Sequence, residues 1–138
     1  MGKQLALFAV KALGKEESLW WKLDAITPVP LHPEREVQRG FNQAKVLAQE
    51  LAKLKNIPII ERSLVKVKNT PPQTSLEAVD RQKNLRGAFE VIHSEEIEGK
   101  VLLLVDDVFT TGSTIQECSL ALKKAGAKEI RALTLAQA

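Results

Sequence analysis

Two carboxylates, Asp106 and Asp107, close a run of five apolar residues, Val101 to Val105, and are followed after Val108-Phe109 by Thr110-Thr111-Gly112-Ser113-Thr114. Such an apolar run reads as a strand from the middle of a parallel sheet, covered on both faces. The hydroxyl-rich turn after it presents successive backbone N–H groups, hydroxyls and a helix start toward one point. That arrangement holds a phosphate without a lysine. Gly112 lets the backbone come close. The two acids would repel a phosphate, so they suit another part of the same ligand, accepting hydrogen bonds from sugar hydroxyls and attracting a magnesium ion. A phosphorylated ribose meets both demands. Singly, each residue has a plainer role: Ser113 and Thr114 as helix caps, Asp106 as a structural carboxylate. Joined in one stretch at the carboxyl end of a strand, where open α/β sheets bind ligands, they favour a site.

Other phosphate chemistries fit less well. An ATPase would pair the acidic strand with G-x-x-x-x-G-K-[ST], but the Gly-Lys pairs, Gly14-Lys15 and Gly99-Lys100, are followed by Glu16 and Val101. No G-x-G-x-x-G occurs. Cys118 is the only cysteine, which rules out an internal disulfide and points to the cytoplasm. The apolar run from Leu5 to Val10 is too short to span a bilayer and is cut by Lys11, Gly14 and Lys15. The net charge of the 138 residues is only +3, yet between Arg62 and Arg86 six bases face two acids. A localised excess of +4 would steer a polyanion, although a solvated loop or a nucleic-acid contact would show the same pattern.

The elements that must position these residues follow from periodicity. Gln4 to Leu13 reads as a short apolar helix, and a second helical piece lies around Ser18 to Leu23, with Trp20 and Trp21 expected to pack rather than stack on bases. Ala25 to Pro30 is a strand stopped by prolines and followed by a shaped loop, Leu31 to Gly40. Phe41, Ala44, Leu47, Ala48, Leu51 and Leu54 form one helical face, with Asn42 a plausible cap. Ile57–Ile60 reads as a short strand with Leu64–Val67 as its continuation, and Gly87–Ile92 as another strand. Between them lies a long polar stretch without periodicity, the kind of loop that is usually functional or disordered. Strand Val101–Val105, ending at Asp106-Asp107, precedes a helix from Ser113 to a stop at Gly126, then a last strand, Glu129–Leu135. Strand, helix, strand predicts a right-handed crossover, so the expected class is α/β with a largely parallel central sheet flanked by helices.

The stretch Val101–Thr114 resembles the phosphoribosyl-pyrophosphate (PRPP) motif of type I phosphoribosyltransferases. Pro28-Val-Pro-Leu-His-Pro with Arg35, Arg39-Gly-Phe-Asn-Gln43, Gln73, Arg81, Asn84 and Ala88-Phe89 resemble the competence protein F (ComF) family within them. The resemblance covers about residues 25–138 and implies one phosphoribosyltransferase-like domain over 1–138, with 1–24 an N-terminal helical segment and 69–84 a flexible loop. It implies that Thr110, Thr111, Gly112, Ser113 and Thr114 hold the 5-phosphate. Asp106 and Asp107 would contact the ribose, partly through Mg2+ carried by PRPP rather than bound by the protein alone. Leu31, His32, Arg35 and Arg39 would face the pyrophosphate, and Gln73, Arg81 and Lys83 would reach the substrate from the loop.

Two readings of function follow. In the first, the chain is an enzyme that transfers the phosphoribosyl group to a nitrogen acceptor, a small molecule not identified by the sequence, with Asp106, Asp107 and Arg81 as catalytic residues. In the second, it keeps the pocket but acts through protein partners or single-stranded DNA in DNA uptake. A homodimer through the helix of Trp20 and Trp21 is a further expectation. ComF members commonly carry a four-cysteine zinc module, which one cysteine cannot build, and the hood that selects the acceptor base would fall to residues 1–24 and the loop. His32 is either a ligand contact or a turn residue, His93 has no assigned role, and Cys118 reads as core.

Overall fold

The acidic strand does lie in the middle of a parallel sheet. A computed structural model of the chain describes residues 17–31, 42–68, 86–109 and 113–137. In chain order the elements are α1 (Glu17–Trp20), β1 (Ala25–Pro28), α2 (Gln43–Lys55), β2 (Leu64–Lys66), β3 (Phe89–Val91), a 3₁₀ turn (Ser94–Glu96), β4 (Val101–Phe109), α3 (Ser113–Lys124) and β5 (Glu129–Gln137). The helix expected over Gln4–Leu13 lies outside the described residues.

Strand β4 pairs in parallel with β1 on one side, from Ala25↔Leu102 to Pro28↔Val105, and with β5 on the other, from Val101↔Glu129 to Phe109↔Gln137. On the free side of β1, Ile26 donates to Pro58 O at 2.9 Å and accepts from Ile60 N–H at 2.8 Å, so residues 58–60 run along it as a single parallel bridge. Alternation along β4 divides the core. Leu102 and Leu104 join Cys118 and Leu122 of α3 and Phe89 of β3 on one face. Leu103 and Val105 join Leu47, Ala48 and Leu51 of α2 on the other. Each such leucine is fully buried, contributing about 1.5–3 kcal/mol. A strand with apolar residues at both parities can only sit between two layers, which explains the unbroken run.

Both long helices stop by the same device. In α3 the Gly126 N–H returns to Lys123 O at 2.9 Å and the Ala127 N–H to Leu122 O at 3.1 Å, with Gly126 at φ +98°. In α2, Asn56 takes the left-handed position at φ +53° and Ile57 N–H reaches Ala52 O at 3.0 Å. These are Schellman closures, and in each the residue after the turn packs beside the residue it bonds.

The structure changes two expectations. Strand β4 runs through the acids to Phe109, because β5 is itself nine residues long and continues the ladder to Gln137. Strand β2 does not continue the 57–60 segment in the main sheet. It pairs antiparallel with β3, Leu64↔Val91 to Lys66↔Phe89, in a separate ribbon packed on the α3 side. The tryptophans also part company: Trp20 is half-buried against the α2 face, while Trp21 is 64% exposed with Lys22 Nζ 4.7 Å above its ring.

Candidate functional site

Polar groups gather where β1 and β4 end side by side. Val29 donates its N–H to Val105 O at 2.8 Å, carrying the ladder one step beyond β1 before Pro30 and Leu31 leave the sheet. On β4 the next residue is Asp106, buried at 8% exposure on the strand that points toward the start of α3. Asp107 follows within the same strand, Ser113 is the first residue of α3, and Thr114 is half-buried in its first turn. Thr27, 1% exposed, has a hydroxyl without a hydrogen-bond partner among the described residues. The structure thus brings Leu31, Asp106, Asp107, Ser113 and Thr114 to one end of the sheet. His32, Arg35, Arg39, Gln73, Arg81, Lys83, Thr110, Thr111 and Gly112 lie outside the described residues.

The electrostatics around Asp106 reach the helix behind it. The Cys118 thiol is pushed well above its ordinary value, first by burial and then by the negative charge of Asp106; Lys66 on β2 acts the other way. A thiol so placed stays protonated and inert at neutral pH, as expected of a core residue. The β2–β3 ribbon packs on the same helix, Leu64 and Phe89 sharing a buried cluster with Cys118 and Leu122.

That ribbon carries the roots of the basic segment. Val67 N–H donates to Ala88 O at 2.7 Å and Lys68 Nζ to Arg86 O at 2.6 Å, so the chain leaves and re-enters at one neck. Gly87 N–H then donates to Glu117 of α3 at 3.3 Å, fastening the neck to the second turn of the helix that Ser113 starts. Periodicity alone could not reveal this, since the residues involved are 18 and 30 positions apart.

Helical periodicity marks Asn42 only as a cap, and the family resemblance includes it without giving it a role. It does cap α2, its Oδ1 accepting from Ala44 N–H at 3.0 Å, but its Nδ2 also donates to Val29 O at 3.1 Å, so the start of α2 is tied to the end of β1. The signal in sequence was the choice of asparagine, a short cap residue that carries its donor and its acceptor on separate atoms.

Among the described residues no cluster of three or more His, Cys, Asp or Glu side chains forms a metal site, and no helix is long and apolar enough to cross a membrane. The donor chemistry at the end of β4 still fits magnesium held mainly by a ligand, because Asp106 offers hard carboxylate oxygens and a single protein carboxylate suffices in that mode.

Comparison with known proteins bears on what this end of the sheet could hold. A family model described as a phosphoribosyl transferase domain matches residues 37–138. Competence protein F of Haemophilus influenzae is 43% identical over 116 residues, which are 83% of this chain and 51% of that protein. The DNA utilization protein YhgH of Salmonella typhi is 36% identical over 108 residues, 78% of this chain and 47% of that protein. The chain therefore spans about half the length of the curated relatives it matches. A crystal structure of a purine phosphoribosyltransferase from Pyrococcus horikoshii superposes with a TM-score of 0.60 at 20% identity, covering 97% of this chain and 73% of that one, which establishes the likeness of fold.

Proposed function

Because the chain belongs to the phosphoribosyl transferase domain family and, within it, to the competence protein F family, we propose that it binds PRPP with magnesium and transfers the phosphoribosyl group to a nitrogen acceptor. The observation that carries this reading is the end of β4: a buried acid on the strand and a helix starting seven residues later, beside the prolines that end β1.

In this reading the N–H groups and hydroxyls of residues 110–114 hold the 5-phosphate, helped by the positive end of α3. Asp106 and Asp107 accept from the ribose hydroxyls and fix the face of the sugar. Leu31, His32, Arg35 and Arg39 lie along the pyrophosphate, and Gln73, Arg81 and Lys83 approach from the segment rooted at Lys68 and Arg86. The bond broken joins ribose C1 to a pyrophosphate oxygen, and the bond formed joins C1 to the acceptor nitrogen, which then loses its proton. Positive charge develops on the sugar, so a carboxylate near the ribose stabilises it while basic side chains stabilise the departing pyrophosphate. Magnesium bound on PRPP and reached by Asp106 and Asp107 would supply further charge neutralisation.

The relatives, named as a competence protein and a DNA utilization protein, favour a second reading, in which the PRPP pocket serves a protein that works with DNA-uptake partners or single-stranded DNA. Calorimetry separates the possibilities. PRPP should bind only with magnesium, and Asp107→Asn should lose that binding; unchanged binding in this variant would sink the site. Pyrophosphate release with a purine, pyrimidine or amine from a panel supports transfer. Bound PRPP without release across the panel favours the second reading.

A further inference from the structure

We infer that the groove beside Trp21, at the amino end of the sheet, binds single-stranded nucleic acid by stacking a base on the Trp21 ring. The groove lies at the opposite end of the strands from the PRPP site proposed above and does not depend on it. It has a volume of about 570 Å³ and is lined by Trp21, Lys22, Asp24, Lys128, Glu129 and Arg131 among others. The two neighbouring tryptophans part because the chain turns sharply where α1 ends. Lys22 takes the left-handed region at φ +55°, and Leu23 N–H returns to Trp20 O at 3.2 Å. Trp20 thereby packs onto the α2 layer, whereas Trp21 is 64% exposed.

The exposed ring is held in place from behind. Arg131 donates to Trp21 O at 2.7 Å and to Leu19 O at 3.1 Å, so the backbone that carries the ring is tied to β5 and loses little freedom when a ligand stacks. The charges around it are of one free sign. The Asp24 carboxylate accepts from Val101 N–H at 2.8 Å, and Glu129 pairs with Arg131 at 2.6 Å. Lys22 and Lys128 are exposed and form no ion pair among the described residues, and Lys22 Nζ stands 4.7 Å from the centre of the Trp21 ring. A fixed aromatic face with unpaired cations beside it matches a base on its phosphate backbone, the base stacking while the lysines meet phosphates. A carbohydrate would also stack on tryptophan, but its hydroxyls favour acceptors, and here the acids are engaged while the unpaired groups are donors.

The test titrates a fluorescein-labelled oligothymidylate by anisotropy over a range of salt concentrations, with the unaltered chain, Trp21→Ala, Trp21→Phe, Lys128→Gln and Lys53→Gln. Trp21→Ala should bind about tenfold more weakly, the loss of one stacked base, with Trp21→Phe closer to the unaltered chain. Lys128→Gln should reduce the slope of log affinity against log salt by about 0.7, one phosphate contact. Lys53, exposed on α2 and outside the groove, should change neither when replaced. No binding by the unaltered chain, or equal affinity in Trp21→Ala, overturns the inference. So does polyglutamate displacing the oligonucleotide as readily as unlabelled oligothymidylate, which would show a surface that reads charge alone. A lower sedimenting mass in Trp21→Ala than in the unaltered chain also overturns it, since the ring would then join two copies. PRPP with magnesium should bind Trp21→Ala as it binds the unaltered chain; failure of both to bind PRPP would sink the earlier reading and leave the groove to be decided by the oligonucleotide.

Discussion

The two ends of the β1–β4–β5 sheet are built on different terms. At the amino end the backbone satisfies itself: Asp24 N–H donates to Val101 O at 2.9 Å, Gly99 N–H to Gly126 O at 2.8 Å and Lys128 N–H to Lys100 O at 2.8 Å. Side chains there serve the chain's own ends. The Asp24 carboxylate accepts from Val101 N–H at 2.8 Å, and Arg131 reaches the carbonyls of Leu19 and Trp21 at 3.1 and 2.7 Å, closing the end of α1. At the carboxyl end Asp106, Thr27 and Asn42 are buried polar residues, and connections of fourteen and three residues leave and return, against one of four residues between α3 and β5. A buried polar group costs stability unless it is hydrogen-bonded, and the Thr27 hydroxyl has no partner among the described residues, so polar groups are concentrated at the end where open α/β sheets bind ligands.

Three substitutions test that division. Leu103→Ala strikes the layer common to both ends, fully buried against α2, and should cost about 2–5 kcal/mol in urea denaturation. A cost below about 1 kcal/mol would mean β4 is not the middle of the core. Asp24→Ala should cost about 1 kcal/mol, discounted for the exposure of its carboxylate, and leave PRPP affinity unchanged. Weakened PRPP binding in that variant would erase the distinction between the ends.

The smallest effect concerns pH. Burial and the Asp106 charge raise the Cys118 pKa above 9.0 in the folded chain, so the native state keeps a proton that the unfolded chain releases. Stability from this source is complete below pH 9 and declines as pH rises above it. Cys118→Ala should therefore show a shallower alkaline decline of the urea midpoint than the unaltered chain. Equal slopes would mean the thiol is not held protonated behind Asp106.

Much of the architecture was legible in advance because it is written in local patterns. The α2 face is spelled by Ala44, Leu47, Ala48 and Leu51, and the stop of α3 by Gly126. The β2 placement was not legible. Leu64-Val65-Lys66 has neither strict alternation nor a turn signal joining it to Phe89, and its partner stands beyond a 22-residue interval, so nothing local distinguishes a fourth parallel strand from a ribbon. The candidate site divided in the same way. Its acids, hydroxyls and Gly112 announce themselves by type and spacing, whereas the bonds Asn42–Val29, Lys68–Arg86 and Gly87–Glu117 join positions that no short window contains.

By itself, then, the amino-acid sequence determined the class of fold, the presence of the strand that leads into Asp106 and of the helix that begins at Ser113, and the chemistry that those residue types suit, because periodicity and turn chemistry act within a few residues. Only the tertiary structure decided which buried face each β4 leucine occupies, that the basic segment is rooted against α3, and that one asparagine clips the end of β1 to the start of α2. Those are choices among long-range pairings of similar local cost, and they are settled by which arrangement buries both faces of one apolar strand while satisfying its polar ends.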